Sequence, residues 1–463
     1  MRLGAIPVLD FYGPILSKVL FPSFEAARGR PTVPLLRYLE TTQHWPHDAL
    51  VDLQMGFLRR LIRHAYRHTA YYRQILDERG LHPDRIDSLE ALGRLPILDR
   101  ATVVQTLDAR TANAPPKVII TKQTSGTTGE PVVVRYNAES RHWRDATRWR
   151  GYGWGGYRIG MRAYHYWGHA LPAKSRIARA KVMLDRALKR DCYVDCTPRG
   201  DAALMSAVKQ LRAFRPDVMI AYAAGASALA RFVLEKGLRD WDDIPVLVGA
   251  ERLWPAEREQ IQKAFGPAFE TYGCREVMLI ASECEAHDGM HASMENLIVE
   301  IIVREPDGSV RAAKPGETGE IAITDLHNLA CPMIRYVTGD LAVAREAERC
   351  SCGRELDRLG PIEGRVTETL RDGNGDAVNG LVFNILFSSL TDDVRKFQIV
   401  QRLDGSVVMK VVPKTGDTLP SIASGMINAF AEKYLPRAPF GIEYVEDIPL
   451  SGAGKRKVVV VER

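Results

Sequence analysis

The chain has 463 residues, 46% of them hydrophobic and 26% charged, with a formal net charge of +6. This describes a globular protein of two or three structural units and excludes a fibrous or disordered chain. Lys and Arg are scattered, so no nucleic acid is expected as partner, while an anionic small ligand stays open.

No run of about 18 apolar residues offers a membrane span. The N-terminus lacks the pattern of a signal peptide, so a cytoplasmic enzyme is the default expectation. Four of the seven cysteines are Cys284, Cys331, Cys350 and Cys352. In a cytoplasmic chain such clustering points to metal or reactivity before disulfides.

In chain order, residues 50–78 predict one amphipathic helix, with Leu53, Phe57, Leu58, Leu61 and Ile62 at helical spacing. The runs Val118-Ile119-Ile120 and Val132-Val133-Val134 predict strands on either side of a Ser/Thr/Gly loop. From there helices and strands alternate: helices over 201–214, 225–236 and 255–264, strands over 218–222, 245–248 and 268–272. That alternation predicts βα units and a largely parallel sheet. Residues 296–345 change to short strands and Gly/Pro turns and read as an antiparallel β subdomain. After Gly364-Arg365 about 100 residues remain, with strands near 396–413 and a helix near 420–434. No repeat or low-complexity linker is seen, so the boundary is expected to be short and hinge-like.

The loop Thr124-Ser125-Gly126-Thr127-Thr128-Gly129 carries the chemistry. Its glycines permit close backbone approach, its N–H groups can form an anion-binding concavity, and its hydroxyls can bond phosphate oxygens. No Gly-Lys-Ser/Thr follows, so it is not a Walker A loop. Alone it reads equally well as a polar hairpin turn. Four further segments stand in order behind it: Tyr272-Gly273-Cys274-Arg275-Glu276, Arg335-Tyr336-Val337-Thr338-Gly339-Asp340, Gly364-Arg365, and Ser451-Gly452-Ala453-Gly454-Lys455.

In this order the five segments resemble the signature motifs of the adenylate-forming superfamily of acyl- and aryl-CoA synthetases, luciferases and adenylation domains. The N-terminal pattern is most similar to its phenylacetate–CoA ligase, coenzyme F390 synthetase and CapK branch. The resemblance implies an α/β fold with a large N-terminal ATP- and acid-binding domain, residues 1–364. That domain would hold parallel sheets with helices plus a β subdomain. A small, mobile α+β lid domain, residues 365–463, would carry the catalytic lysine.

The implied reaction is ATP-dependent activation of a carboxylic acid to an acyl-adenylate, followed by transfer to a thiol, with CoA as the expected acceptor. Transfer to an amine or a carrier protein is the alternative, and an inactive nucleotide-binding interaction protein is another. By the same resemblance, residues 124–129 would hold phosphates, Glu276 would bind Mg²⁺, and Asp340 would accept the ribose hydroxyls. Tyr272 would stack on adenine, with Ala250, Glu251, Gly273 and Arg365 beside the nucleotide. Lys455, Arg275 and Glu276 would serve catalysis, Lys455 by offsetting the repulsion between carboxylate and α-phosphate.

Three positions depart from the family: Arg275 where Thr or Ser is common, Val132 where Lys is frequent, and Thr367 at the usual hinge Asp. The aromatic run Tyr164 to Trp167 and the small residues from Tyr222 to Ala226 read as one wall of an acid pocket, or equally as core. A homodimer is left open.

A second constellation comprises Cys284, His287, His291, Cys350 and Cys352. Cys350-x-Cys352 supplies two thiolates on a tight turn, and Cys284 with a nearby His completes a tetrahedral Cys₃His set. Relatives of the branch show a similar arrangement, and that resemblance selects His291 over His287 and implies a closed, structural zinc. Cys192, Cys196, Cys274 and Cys331 fit no such pattern and read as small apolar residues.

Overall fold

The alternating segments fold into an eight-stranded sheet whose order runs Arg358–Leu359, Met290–Ala292, Met278–Glu283, Ala268–Cys274, Val246–Gly249, Val218–Tyr222, Ala163–Trp167, Asp191–Asp195. The five strands from Ala268–Cys274 to Asp191–Asp195 are parallel, and the rest of the sheet is antiparallel. The computed structural model describes residues 10–114, 118–123, 132–168, 176–196, 198, 200–346, 348–365, 369–373, 377–379, 383, 386, 390, 393–448 and 458–462.

The helices Asp201–Phe214, Ala223–Glu235 and Pro255–Ala264 pack on one face of this sheet, sharing a core with Tyr164, Tyr166, Met219 and Val246. The predicted helix over 225–236 starts two residues earlier and ends one earlier, and the predicted strand over 245–248 is shifted by one. The β subdomain is a five-stranded antiparallel sheet ordered Val310–Ala312, Leu297–Arg304, Thr318–Asp325, Tyr336–Val343, Ile362–Arg365. Strands Ile119–Gln123 and Val133–Asn137 pair antiparallel across the Ser/Thr/Gly loop.

One expectation fails near the N-terminus. Residues 50–78 are not one helix but two, His47–His68 and Ala70–Glu78. Thr69 is extended (φ −126°, ψ 137°) and its side chain accepts the Tyr72 N–H, so it ends one helix and caps the next. The apolar period continues across the break, which is why it reads as unbroken.

The helix Ala138–Trp154 lies at the centre of the large unit. Gly151 permits its close approach to strand Met278–Glu283, since a Cβ there would meet Leu279 Cδ2 at 2.5 Å. The helix buries two arginines. Arg144 pairs with Asp325 at 2.6 Å, both side chains being inaccessible, and also donates to Ser140 and to the Glu276 carbonyl. Arg150 forms a bidentate pair with Glu295, at 2.6 and 2.9 Å, and Thr42 donates to the same carboxylate.

A third polar tie joins two adjacent strands. Arg258 grips Glu283 at 2.8 and 3.0 Å, and Glu283 accepts the Glu270 N–H. Glu270, 15% exposed, accepts the Leu253 N–H. Burial raises its pKa to about 7, and the nearby Glu283 charge adds to the effect.

Downstream, strands Val394–Gln401, Val407–Pro413, Phe440–Tyr444 and Val459–Val461 form a mixed sheet under helix Ser421–Tyr434, with a core of their own.

Three outcomes are expected. Arg144→Ala strands the Asp325 carboxylate in the interior and should lower unfolding free energy by about 3–5 kcal/mol. Arg60→Ala, which opens the exposed Arg60–Glu139 pair, should cost less than about 1 kcal/mol; urea denaturation compares the two. Glu270 binds its proton more tightly folded than unfolded, so its contribution is complete below the ordinary carboxylate range and is lost as pH rises toward 7. Glu270→Gln should remove that loss, flattening the stability profile between pH 5 and 7 by up to about 1.4 kcal/mol per pH unit.

Candidate functional site

The loops after the parallel strands gather the polar residues. Strand Ala268–Cys274 turns at Arg275–Glu276 into strand Met278–Glu283. Gly273 is required at that turn, because a Cβ would lie 2.2 Å from the Met278 carbonyl oxygen. The turn buries Glu276 at 7% exposure. Its carboxylate accepts from Tyr336 Oη at 3.1 Å, and its carbonyl is held by Arg144 at 2.7 Å. Burial raises the Tyr336 and Cys274 pKa values, with Glu276 the next cause for each.

Tyr272 and Asp340 come from different sheets and meet. Tyr272 Oη donates to Asp340 Oδ2 at 2.9 Å and lies 3.2 Å from Thr338 Oγ1. The Asp340 N–H donates to Thr338 Oγ1. Tyr272 is 8% exposed, with its ring in a cluster that includes Val134, Tyr136 and Ile323. Burial, then Asp340, holds its hydroxyl protonated far above the ordinary range. Asp340 pairs in register with Arg365, so the last strand before the predicted hinge lies beside it.

Ala250 follows strand Val246–Gly249 in the left-handed region (φ 67°). Beside it, Glu251 accepts the Ala224 N–H at 3.0 Å, at the start of helix Ala223–Glu235. Arg252 pairs with Glu363 at 2.9 Å, one residue before Gly364. Arg275 is exposed, near Tyr222, and has no hydrogen-bond or ion-pair partner among the described residues. Val132 is fully buried in the core. The loop Thr124 to Gly129, Thr367 and Lys455 lie outside the described residues, as does the side chain of Arg365.

The aromatic run divides by the period of its strand. Tyr164 and Tyr166 are buried among the helices, and Tyr164 Oη donates to the Ala207 carbonyl. They therefore belong to the core and not to a pocket wall. His165 and Trp167 face the other way, His165 stacked on Tyr193 and Trp167 tilted against Tyr222 at 4.3 Å. Sequence reasoning missed Tyr336, Thr338 and Arg144. The first two sat inside a quoted motif, whereas nothing in the sequence distinguishes Arg144 from a surface arginine.

The ligand atoms of Cys284, His291, Cys350 and Cys352 all lie within 4.8 Å of one another. Cys284 and Cys350 sulfurs are 3.7 Å apart, and Cys352 Sγ is 3.3 Å from His291 Nε2. A tetrahedral zinc with Zn–S near 2.3 Å requires sulfurs about 3.8 Å apart, so the spacing fits that ion. His291 Nδ1 donates to the Leu356 carbonyl at 3.2 Å, which leaves Nε2 as the ligating nitrogen. Burial lowers the His291 pKa to about 4, keeping the ring neutral. Burial raises Cys284, whereas at Cys352 hydrogen bonds from Arg354 outweigh burial and lower the pKa. His287 instead approaches Glu283 at 3.4 Å and stacks on Phe269.

No protein-family model matches the chain. The phenylacetate–coenzyme A ligase of Thermus thermophilus is 27% identical over 380 residues, 80% of this chain and 82% of that protein. The enzyme of the same name from Pseudomonas putida is 28% identical over 333 residues, 70% of this chain and 72% of its own. Among solved structures, a 2-hydroxyisobutyryl-CoA ligase in the postadenylation state superposes with a TM-score of 0.67 at 18% identity, over 89% of both chains. The chain is thus similar to phenylacetate–CoA ligases over most of its length and has the fold of the adenylate-forming CoA ligases.

Proposed function

We propose that the protein is an AMP-forming acid–thiol ligase. A carboxylate oxygen of the acid attacks the α-phosphorus of ATP, and pyrophosphate leaves. The CoA sulfur, having lost its proton, then attacks the acyl carbonyl and AMP leaves. The observation that carries this reading is the meeting of Tyr272, Asp340 and Glu276 from two sheets, joined through Tyr272 Oη–Asp340 and Tyr336 Oη–Glu276. CoA is taken as the acceptor because the relatives are named CoA ligases.

In this reading Asp340 accepts the ribose hydroxyls while Tyr272 holds its carboxylate in orientation. The Tyr272 ring, largely covered, presents its remaining edge to the adenine beside Ala250, Glu251 and Gly273. Glu276 supplies a hard oxygen ligand to the Mg²⁺ that arrives with ATP, an ion that would draw charge from the phosphates. Tyr336 and Arg144 keep Glu276 in place by its carboxylate and its carbonyl. Residues 124–129 bind phosphate through N–H and hydroxyl donors, with Arg275 as a further donor at the reacting end. Trp167 and Tyr222 flank the acid, which points to an aromatic substrate. A pyrophosphate-release assay over a panel of carboxylic acids, with and without CoA, tests the whole; no release with any acid would refute it.

We further propose that residues 365–463 form a lid that rotates about 365–367 to bring Lys455 to the ATP site. The downstream sheet and helix have their own core, to which Trp254 adds from outside. The Arg252–Glu363 pair would hold the near side of the hinge. The Cys284, His291, Cys350 and Cys352 cluster is proposed to hold one structural zinc, since protein side chains fill all four positions.

Asp340→Ala should weaken ATP binding by calorimetry, because charge-assisted hydrogen bonds worth about 1.5–3 kcal/mol each are removed; unchanged affinity would count against the ribose role. Lys455→Ala should slow acyl-adenylate formation about 100-fold or more, yet leave thioester formation from supplied acyl-adenylate largely intact; equal loss of both steps would refute the lid assignment. Metal analysis should find one zinc per chain, lost in Cys350→Ser together with thermal stability and retained in His287→Ala.

A further inference from the structure

The helix Arg176–Lys189 connects strand Ala163–Trp167 to its neighbour Asp191–Asp195, the edge strand of the large sheet. A crossover helix ordinarily buries its apolar stripe against the sheet. This one leaves it uncovered: Ile177, Met183, Leu184 and Leu188 are 83%, 64%, 61% and 51% exposed, and the rest of the helix is open too, with Val182 on the far side 42% exposed and only Arg186 half-buried among its described side chains. At 100° per residue these four and Ala180 span an arc of about 140°, with Lys181 on one flank and Arg179 on the other. The helix is tethered by its basic face instead, Arg186 lying over the Tyr193 ring at 4.1 Å. Just beyond its end Arg190 pairs with Asp10.

The N-terminal segment extends the same surface. Tyr12 Oη donates to the Leu188 carbonyl, and Phe11, Ile15, Val19 and Phe24 are exposed beyond it. These two stretches, with Tyr193, hold more than half of the exposed large apolar side chains among the described residues. The charge of the helical stretch is one-sided, while residues 10–28 carry two acidic and two basic residues. Between residues 176 and 190 there are six basic residues and one acidic. Each acidic group of the two stretches is already engaged, Asp10 by Arg190, Glu25 by Arg30 and Thr32, and Asp185 by Lys189. Lys18, Arg28, Arg179 and Lys181 have no acidic partner among the described residues.

We propose that this face docks on an anionic lipid bilayer surface, with the helix Arg176–Lys189 lying in the interfacial plane. An uncovered apolar stripe flanked by cations without acidic partners matches acyl chains below a layer of negative headgroups. A second copy of the chain would match the apolar stripe but would bring like charges together. Among the described residues no helix is long and apolar enough to cross a membrane, so the attachment is peripheral.

Flotation of the full chain with vesicles tests this. The protein should float with phosphatidylcholine–phosphatidylglycerol vesicles, stay behind with phosphatidylcholine alone, and be released by salt on the order of 0.5 M. Leu184→Glu should weaken binding about tenfold or more, and the pair Arg179→Glu, Lys181→Glu should do likewise. Each variant should keep the parent's melting temperature and its pyrophosphate release, since neither touches the ATP motifs. No flotation with anionic vesicles, or equal flotation with neutral ones, would overturn the proposal. So would a dimer in analytical ultracentrifugation that Leu184→Glu dissociates, because the stripe would then belong to a second copy. Failure of flotation with adenylation intact would refute the docking surface alone.

Discussion

The buried contact between Arg144 and Asp325 is the constraint on which the candidate site depends. Two opposite charges without solvent access survive only when every remaining donor is satisfied. Arg144 meets that demand by reaching three places at once: the Asp325 carboxylate on the β subdomain, Ser140 on its own helix, and the Glu276 carbonyl on the large sheet. Its guanidinium also lies over the Tyr136 ring at 4.2 Å, on the strand that follows the Ser/Thr/Gly loop. One side chain therefore sets the spacing of the elements that carry Glu276, Asp340 and the predicted phosphate loop. A lysine could not replace it, because a point charge cannot bond in several directions within one plane.

The second fixed point is the Cys and His cluster, which joins segments remote in sequence. Strand Met290–Ala292 carries His291 and pairs with Arg358–Leu359 just after Cys352. The same region is closed by Arg354, which pairs with Glu285 and lies over the Trp154 ring at 5.3 Å. Trp154 is the last residue of the central helix, and its ring meets His291 edge-on at 5.5 Å. The central helix is thus pinned at Arg144 to the site and at Trp154 to the cluster. A metal held there would make that second anchor cooperative with folding, since its ligands come together only in the native chain.

How much of this was legible in the sequence follows from what each pattern encodes. The helices 201–214 and 255–264 and the strand 218–222 were read to the residue, because turn residues and Pro punctuate them. The Cys and His cluster was legible because few other roles gather thiols and imidazoles. The Thr69 break was not, since an apolar period can continue through a capped corner. The aromatic run left wall and core equally open because a strand sends alternate residues to opposite faces, and Tyr164 and Tyr166 join the core while Trp167 faces the other way. Buried arginines were invisible for a different reason: their cost is repaid only by partners more than a hundred residues away. The uncovered stripe of helix Arg176–Lys189 shows the same limit, for periodicity announces a face but not what covers it.

The remaining question is why the polar residues converge at one edge. Tyr222, Ala250, Glu251, Arg275 and Glu276 all lie at or just after the C-terminal ends of neighbouring strands Val218–Tyr222, Val246–Gly249 and Ala268–Cys274. Parallel strands deliver their carboxyl ends to one side of a sheet, where open α/β folds form their ligand crevice. Strand Ala268–Cys274 is also where the sheet changes from parallel to antiparallel pairing. At that position the chain reverses immediately into Met278–Glu283 instead of crossing over through a helix. No crossover helix intervenes between these two strands, and the second sheet can bring Asp340 to Tyr272. The short reversal at Gly273, forced by its contact with the Met278 carbonyl, is what lets two sheets share one site.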